Sequence, residues 1–146
     1  MPQGGSKKIK KEEPDNNKMK RIIVWLRNDL RLHDNYCLDW AVKLKAARKE
    51  VLPVFSFDPR FITNRVAKYD IQKCGAIRAK FLLETVANLR KNLESIGSHL
   101  IVTTEKPEDF LPKLIDPKAD NALVYQQEIC KEELDVEEAV KAALLK

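Results

Sequence analysis

Glycine is scarce in this chain, with four in 146 residues, at positions 4, 5, 75 and 97. That leaves no Gly-rich phosphate cradle: neither a P-loop nor a GxGxxG turn after the first strand is present, and no GxSxG nucleophile elbow occurs. The three cysteines, Cys37, Cys74 and Cys130, are far apart and form no CxxC or Cys/His cluster. Structural zinc and a disulfide framework are therefore not expected, and isolated thiols fit a reducing compartment. The two histidines, His33 and His99, have no obvious nucleophile beside them. No apolar run approaches the roughly 18 residues of a membrane span. The N-terminus lacks the apolar core of a secretory signal and the arginines of a typical transit peptide. An intracellular protein is expected, in nucleus or cytoplasm, with an organelle also open.

Charge of one sign is also largely missing from the part that folds. The formal net charge is +5, but residues 1–20 hold six lysines against three acids. The remaining residues carry 21 basic and 19 acidic side chains, so no basic footprint for a phosphate backbone is evident. Residues 1–19 are polar and lysine-rich and read as a disordered tail. The run Lys7–Lys11 is read as solvated, with a weak nuclear-import or nucleic-acid contact as the alternative.

What the chain does have is alternation of strand and helix. The stretch RIIVWLRNDLRLHDN, residues 21–35, opens with an unbroken β-prone apolar run and breaks into a polar loop. Such a run suits a strand buried on both faces of a parallel sheet. Asp34 or Asn35 can cap a helix reaching to about Ala47. A second strand covers 50–57, with strain or a bulge expected at Pro53. Residues 58–75 have no clear period and read as an ordered excursion or a functional loop. Helix 76–96 carries Ile77, Phe81, Leu82, Val86, Leu89, Leu93 and Ile96 on one face, with Gly97 as its cap. A third strand (99–103), a short helix from Pro107 to Leu114, a fourth strand (122–126) and a helix over 132–145 complete the series. This order gives an α/β, Rossmann-like parallel sheet of strand order 3-2-1-4, helices on both faces and the fifth strand missing. With the fourth strand an unpaired edge, modest stability is expected.

Open α/β sheets bind ligands at the carboxyl edge where strand order reverses, here between strands one and four. Asn28 and Asp29 come from one side of that crevice, and Gln127 and Glu128 from the other. Amide and carboxylate groups suit the N–H and C=O edge of a flat heterocycle. Trp25 and Tyr125 add ring surface, although strand aromatics more often belong to the core. For Asn28 and Asp29 the alternative is tying the loop, and for Gln127 and Glu128 it is plain surface. Asp34 and Asn35 read as caps. Arg27 and Arg31 flank Asp29 and read as local ion pairs, with docking to another domain as the alternative for them and for Arg78.

The segments VWLRNDLRLHDN (24–35), VLPVFSFDPR (51–60), KCGAIRAKFLLETVANLRKNL (73–93) and YQQEICKEELDVE (125–137) resemble the photolyase/cryptochrome family. The third and fourth segments are most similar to the cryptochrome DASH branch, which usually has threonine where this chain has Cys74. The likeness runs from Met19 to the C-terminus. It implies the N-terminal α/β domain, residues 20–146, which in many members holds an antenna chromophore, in DASH-like members typically a methenyltetrahydrofolate. Glu128 matches the acid that contacts this pterin. The family's FAD, electron-transfer tryptophans and lesion pocket belong to a C-terminal helical domain, so truncation relative to the family is expected and no catalysis by this chain alone. The expected partners are that helical domain or a protein docked on the same surface, with DNA engaged only through the full-length form. A non-enzymatic interaction module and a nucleotide-binding α/β domain are the other readings.

Overall fold

The computed structural model describes residues 19–44 and 48–145. Apart from Met19, the expected disordered tail lies outside the described residues, as does the expected end of the first helix at Ala47.

The central strand β1 (Lys20–Leu26) is buried on both faces from Ile22 to Leu26. It pairs in parallel with β2 (Lys49–Ser56) on one side and with β6 (Asp120–Tyr125) on the other. β2 also pairs in parallel with the short β5 (Ile101–Thr103). The sheet order β5-β2-β1-β6 is the expected 3-2-1-4 in terms of the main strands. Trp25 faces Tyr125 across the last rung of the β1–β6 ladder, so the carboxyl ends of these two strands lie side by side.

Alternate side chains of β1 feed two cores. Ile22, Val24 and Leu26 pack under α1 (Tyr36–Lys43) and α3 (Ala76–Ser95), through Cys37, Ala41, Val86, Leu89 and Leu93. Ile23 and Trp25, with Val54, pack under α5 (Lys131–Leu144) and the turn formed by α4 (Pro107–Phe110) and a 3₁₀ segment (Leu111–Leu114). The core residues are Leu111, Val136 and Val140 on this face. Helices therefore cover both faces, as a parallel sheet requires.

Three expectations are corrected. Pro53 causes no bulge: β1 and β2 stay in register through Val24 opposite Pro53, and β5 pairs only from Val54 onward. Ile77, Phe81 and Ile96 do not join the buried face of the long helix, being 88%, 68% and 68% exposed. At 3.6 residues per turn Ile77 and Phe81 fall off the arc shared by Leu82, Val86, Leu89 and Leu93, which pack on the sheet, and Ile96 lies past the last helical residue. The helix from Pro107 changes at Phe110 from α to 3₁₀ geometry. Residues 58–75 are an ordered excursion: α2 (Pro59–Ile62), then an antiparallel hairpin of β3 (Arg65–Val66) and β4 (Ile71–Gln72).

Candidate functional site

The loop after β1 is built by two side chains. Asp29 accepts the backbone N–H of Arg27 through Oδ1 (3.1 Å) and the Asn35 amide through Oδ2 (3.2 Å). Asn35 is buried, and its Nδ2 also donates to the carbonyls of Asp29 and Arg31. Its Oδ1 accepts from Leu38 N–H at 3.0 Å, the N-cap bond of α1. Asn35 is thus the cap, whereas Asp34 takes a left-handed turn conformation (φ 53°) that short polar side chains tolerate. Both carboxylate oxygens of Asp29 are used inside the loop.

Asn28 and Glu128 meet across the crevice. Asn28 Nδ2 donates to Glu128 Oε1 at 2.8 Å, joining the ends of β1 and β6. Gln127, one residue earlier, is exposed, and Ile129, one later, is 91% exposed. Trp25 and Tyr125 lie 5.2 Å apart between ring centroids and belong to the core, though Trp25 also reaches the adjoining cavity.

That cavity, about 440 Å³, opens at the carboxyl ends of β1 and β2 and is walled by the early turns of α3. Trp25, Phe55, Phe61 and Phe81 give it ring surface; Arg27, Asn28, Arg31, Asp58 and Arg78 are among its polar groups, and Gln127 and Glu128 lie outside its lining. Apolar walls with a few placed polar groups suit a flat heteroaromatic ligand. Its rim is held by Arg60, whose guanidinium donates to Asp58 and to Glu108 at 2.8–2.9 Å, with Asp58 buried. The hydrogen bond to Asp58, more than that to Glu108, holds the Arg60 guanidinium above its ordinary range against the effect of burial. Cys37, under the same loop, is pushed above the usual thiol range by burial and then by the Asp29 carboxylate. Among the described residues, no buried side-chain nitrogen or oxygen lacks a hydrogen-bond partner; Asn28 is exposed and Glu128 half-buried.

The residue pair missing from the sequence reading is Arg27 with Glu137. Arg27 does not pair with Asp29. Its Nη1 donates to Glu137 Oε1 at 2.5 Å, its Nη2 to the Glu133 carbonyl at 3.2 Å, and its guanidinium stacks on Trp25 at 4.7 Å. Glu137 is 1% exposed on α5. The signal was available: Glu137 stands three residues from both Leu134 and Val140, on the apolar stripe of its helix. Arg31, by contrast, is exposed and bonds its own loop through the His33 and Asp34 carbonyls.

The family model for DNA photolyase matches residues 22–146. The chain belongs to the DNA photolyase family. Within it, similarity is to the DASH cryptochromes: 41% identity to that of Gloeobacter violaceus over 86% of this chain, and 42% to that of Xenopus laevis over 84%. The chain spans about a quarter of the length of these curated relatives, 24% and 23% respectively. The crystal structure of a Synechocystis cryptochrome superposes with a TM-score of 0.76 at 34% identity, over 88% of this chain and 26% of that one. An archaeal photolyase from Sulfolobus tokodaii, described with two FAD molecules and the implication of a novel light-harvesting cofactor, shares the fold (TM-score 0.68, 24% identity, 86% of this chain and 26% of that one). A DASH-like photolyase/cryptochrome α/β domain is thus the class of this chain. Among the described residues, no helix is long and apolar enough to cross a membrane.

Proposed function

We propose that this domain binds a flat light-harvesting chromophore of the methenyltetrahydrofolate type at the β1–β6 crevice and serves as the antenna portion of a DASH-like photolyase/cryptochrome. The observation that carries this is the Asn28–Glu128 hydrogen bond at 2.8 Å, set at the switch point of the sheet beside an aromatic-walled cavity. Glu128 offers a carboxylate to the N–H edge of a pterin, and Asn28 offers an amide able to donate or accept. Gln127, exposed beside Glu128, would contact the outer part of the ligand. Asp29 contributes through the loop it holds. Bound there, the chromophore would supply near-UV absorption and pass excitation to an FAD. The FAD site, blue-light DNA repair or photoreception, and any DNA contact belong to the longer form through a helical domain. No step of that chemistry runs through the residues here.

The test is to add methenyltetrahydrofolate to the purified chain and follow near-UV absorbance through gel filtration. Absorbance should travel with the protein, and Glu128→Ala should weaken binding about tenfold, as loss of a hydrogen bond to a charged group does. Absence of retention at high folate concentration overturns the reading.

A second reading, a non-enzymatic interaction module, is favoured by one observation. Phe81 and Leu83 of α3 are exposed, and the neighbouring groove of about 600 Å³ along β5 is lined mostly by apolar side chains, Phe57, Ile62 and Leu82 among them. This reading expects association through that face. A chain that retains folate and sediments as a monomer at all concentrations argues against it.

A further inference from the structure

We propose that Glu137 is a positioning residue for the antenna site: a single buried carboxylate oxygen holds both halves of the Asn28–Glu128 pair. This rests on the reading of the crevice given above and adds to it a residue that does not touch the ligand.

Glu137 Oε1 accepts two hydrogen bonds. One comes from Arg27 Nη1 at 2.5 Å, and Arg27 directly precedes Asn28. The other comes from the backbone N–H of Glu128 itself at 2.9 Å. The Arg27 side chain is 8% exposed and is further fixed by the Glu133 carbonyl and the Trp25 ring. The end of β1 and the loop after β6, far apart in sequence, therefore meet on one atom of α5. The distance between Asn28 and Glu128 follows from where that atom sits.

A structural role alone does not require charges at this place. Burying an ion pair costs desolvation, and apolar side chains of similar volume often match or exceed its stability. Position 137 lies between Val136 and Val140 in a core face where Leu or Met would pack. Apolar side chains cannot, however, accept the Glu128 N–H or lock Arg27 to it. The pair's distinct effect is geometric: the Glu128 backbone is fixed before ligand arrives, so little ordering remains to be done on binding.

The experiment uses the 146-residue chain in three forms: wild type, the double variant Arg27→Met/Glu137→Met, and Val140→Ala. Val140 is buried on the same helix and has no bond to either loop, so it reports on stability alone. Three quantities are read: melting temperature, amide hydrogen exchange at Glu128, and the dissociation constant for methenyltetrahydrofolate. Val140→Ala should melt lower while keeping wild-type protection at Glu128 and wild-type affinity. The double variant should melt near wild type, yet lose protection at Glu128 and bind folate about tenfold more weakly. Unchanged exchange at Glu128 in the double variant overturns the proposal, and so does altered exchange with unaltered affinity. If wild type binds no folate, the antenna reading fails, while the exchange comparison still decides whether Glu137 holds the pair. If the double variant does not fold, Glu137→Gln carries the same comparison. It keeps the shape and weakens both bonds, and the expected change is about threefold because neutral acceptors bind less strongly.

Discussion

Arg27 and Arg31 stand four positions apart in one polar loop, and the fold treats them oppositely. Arg31 stays in water and braces its own turn, whereas Arg27 turns under the sheet edge to a buried acid of α5. Local sequence does not separate the two, because the deciding partner is 110 residues away. The cap of α1, whose bond is local, was legible as Asp34 or Asn35 from the position before an apolar stripe, and the structure selects Asn35. The same distinction governs the thiols. Cys37 and Cys74 are buried, and Cys130 is exposed at the start of α5. Burial and the Asp29 carboxylate raise the Cys37 pKa, which disfavours its thiolate relative to that of an ordinary thiol. Titration of the native chain with a disulfide reagent near pH 8 should label one thiol rapidly, at Cys130, and three after unfolding. Rapid native labelling at Cys37 contradicts this. The sign for stability follows: a raised folded-state pKa contributes stability below the ordinary thiol range, and that contribution is lost as pH rises through the folded value.

At the level of elements, what reads clearly from sequence is what depends on neighbours within one or two turns. β1 was visible as an unbroken apolar run because both its faces are covered. The β3–β4 hairpin was not, since its paired residues are exposed and leave no hydrophobic alternation to find. The end of α3 was legible in detail. Gly97 takes φ 79°, Gly97 N–H bonds the Glu94 carbonyl at 3.0 Å, and Ser98 N–H bonds the Leu93 carbonyl at 2.9 Å. This is a Schellman cap, which needs a left-handed residue at that point. A Cβ on Gly97 would meet no heavy atom within 4 Å, so the penalty of a side chain there is conformational only. Gly97→Ala should lower unfolding free energy by about 1 kcal/mol, read from urea titration with an unchanged slope, and Gly97→Asn should cost less. The start of α3 departs from the sequence expectation because an apolar residue is buried only where its direction around the helix faces the sheet. Ile77 and Phe81 fall off the arc shared by Leu82, Val86, Leu89 and Leu93 and are exposed.

For the whole molecule, the strand order was legible because βαβ alternation with right-handed crossovers leaves few arrangements, while the electrostatic character needed coordinates. Composition showed only a small positive balance in the folded part; the structure shows how its charges are spent. Arg21 pairs with Glu50, Arg27 with Glu137, Arg60 with Asp58 and Glu108, Arg65 with Asp70, and Lys73 with Glu132. Lys20, Lys43, Lys113 and Lys131 likewise lie within 4 Å of an acid. Phosphate binding draws on uncommitted lysine and arginine arranged along a face, and each contact adds to the salt dependence of the affinity. Pairing of these groups leaves fewer uncommitted cations for a duplex than composition alone suggests. The sequence also carries a lysine-rich stretch at residues 7–18. Fluorescence anisotropy with a labelled duplex at physiological salt should therefore give a dissociation constant no tighter than about 10⁻⁴ M, the weak end of non-specific binding. Any binding seen at low salt should fall steeply as salt rises and disappear on removal of residues 1–18. Tight binding that survives this removal would mean that the α/β domain itself presents a DNA surface, against the pairing of its charges and against the assignment of DNA contact to the longer form.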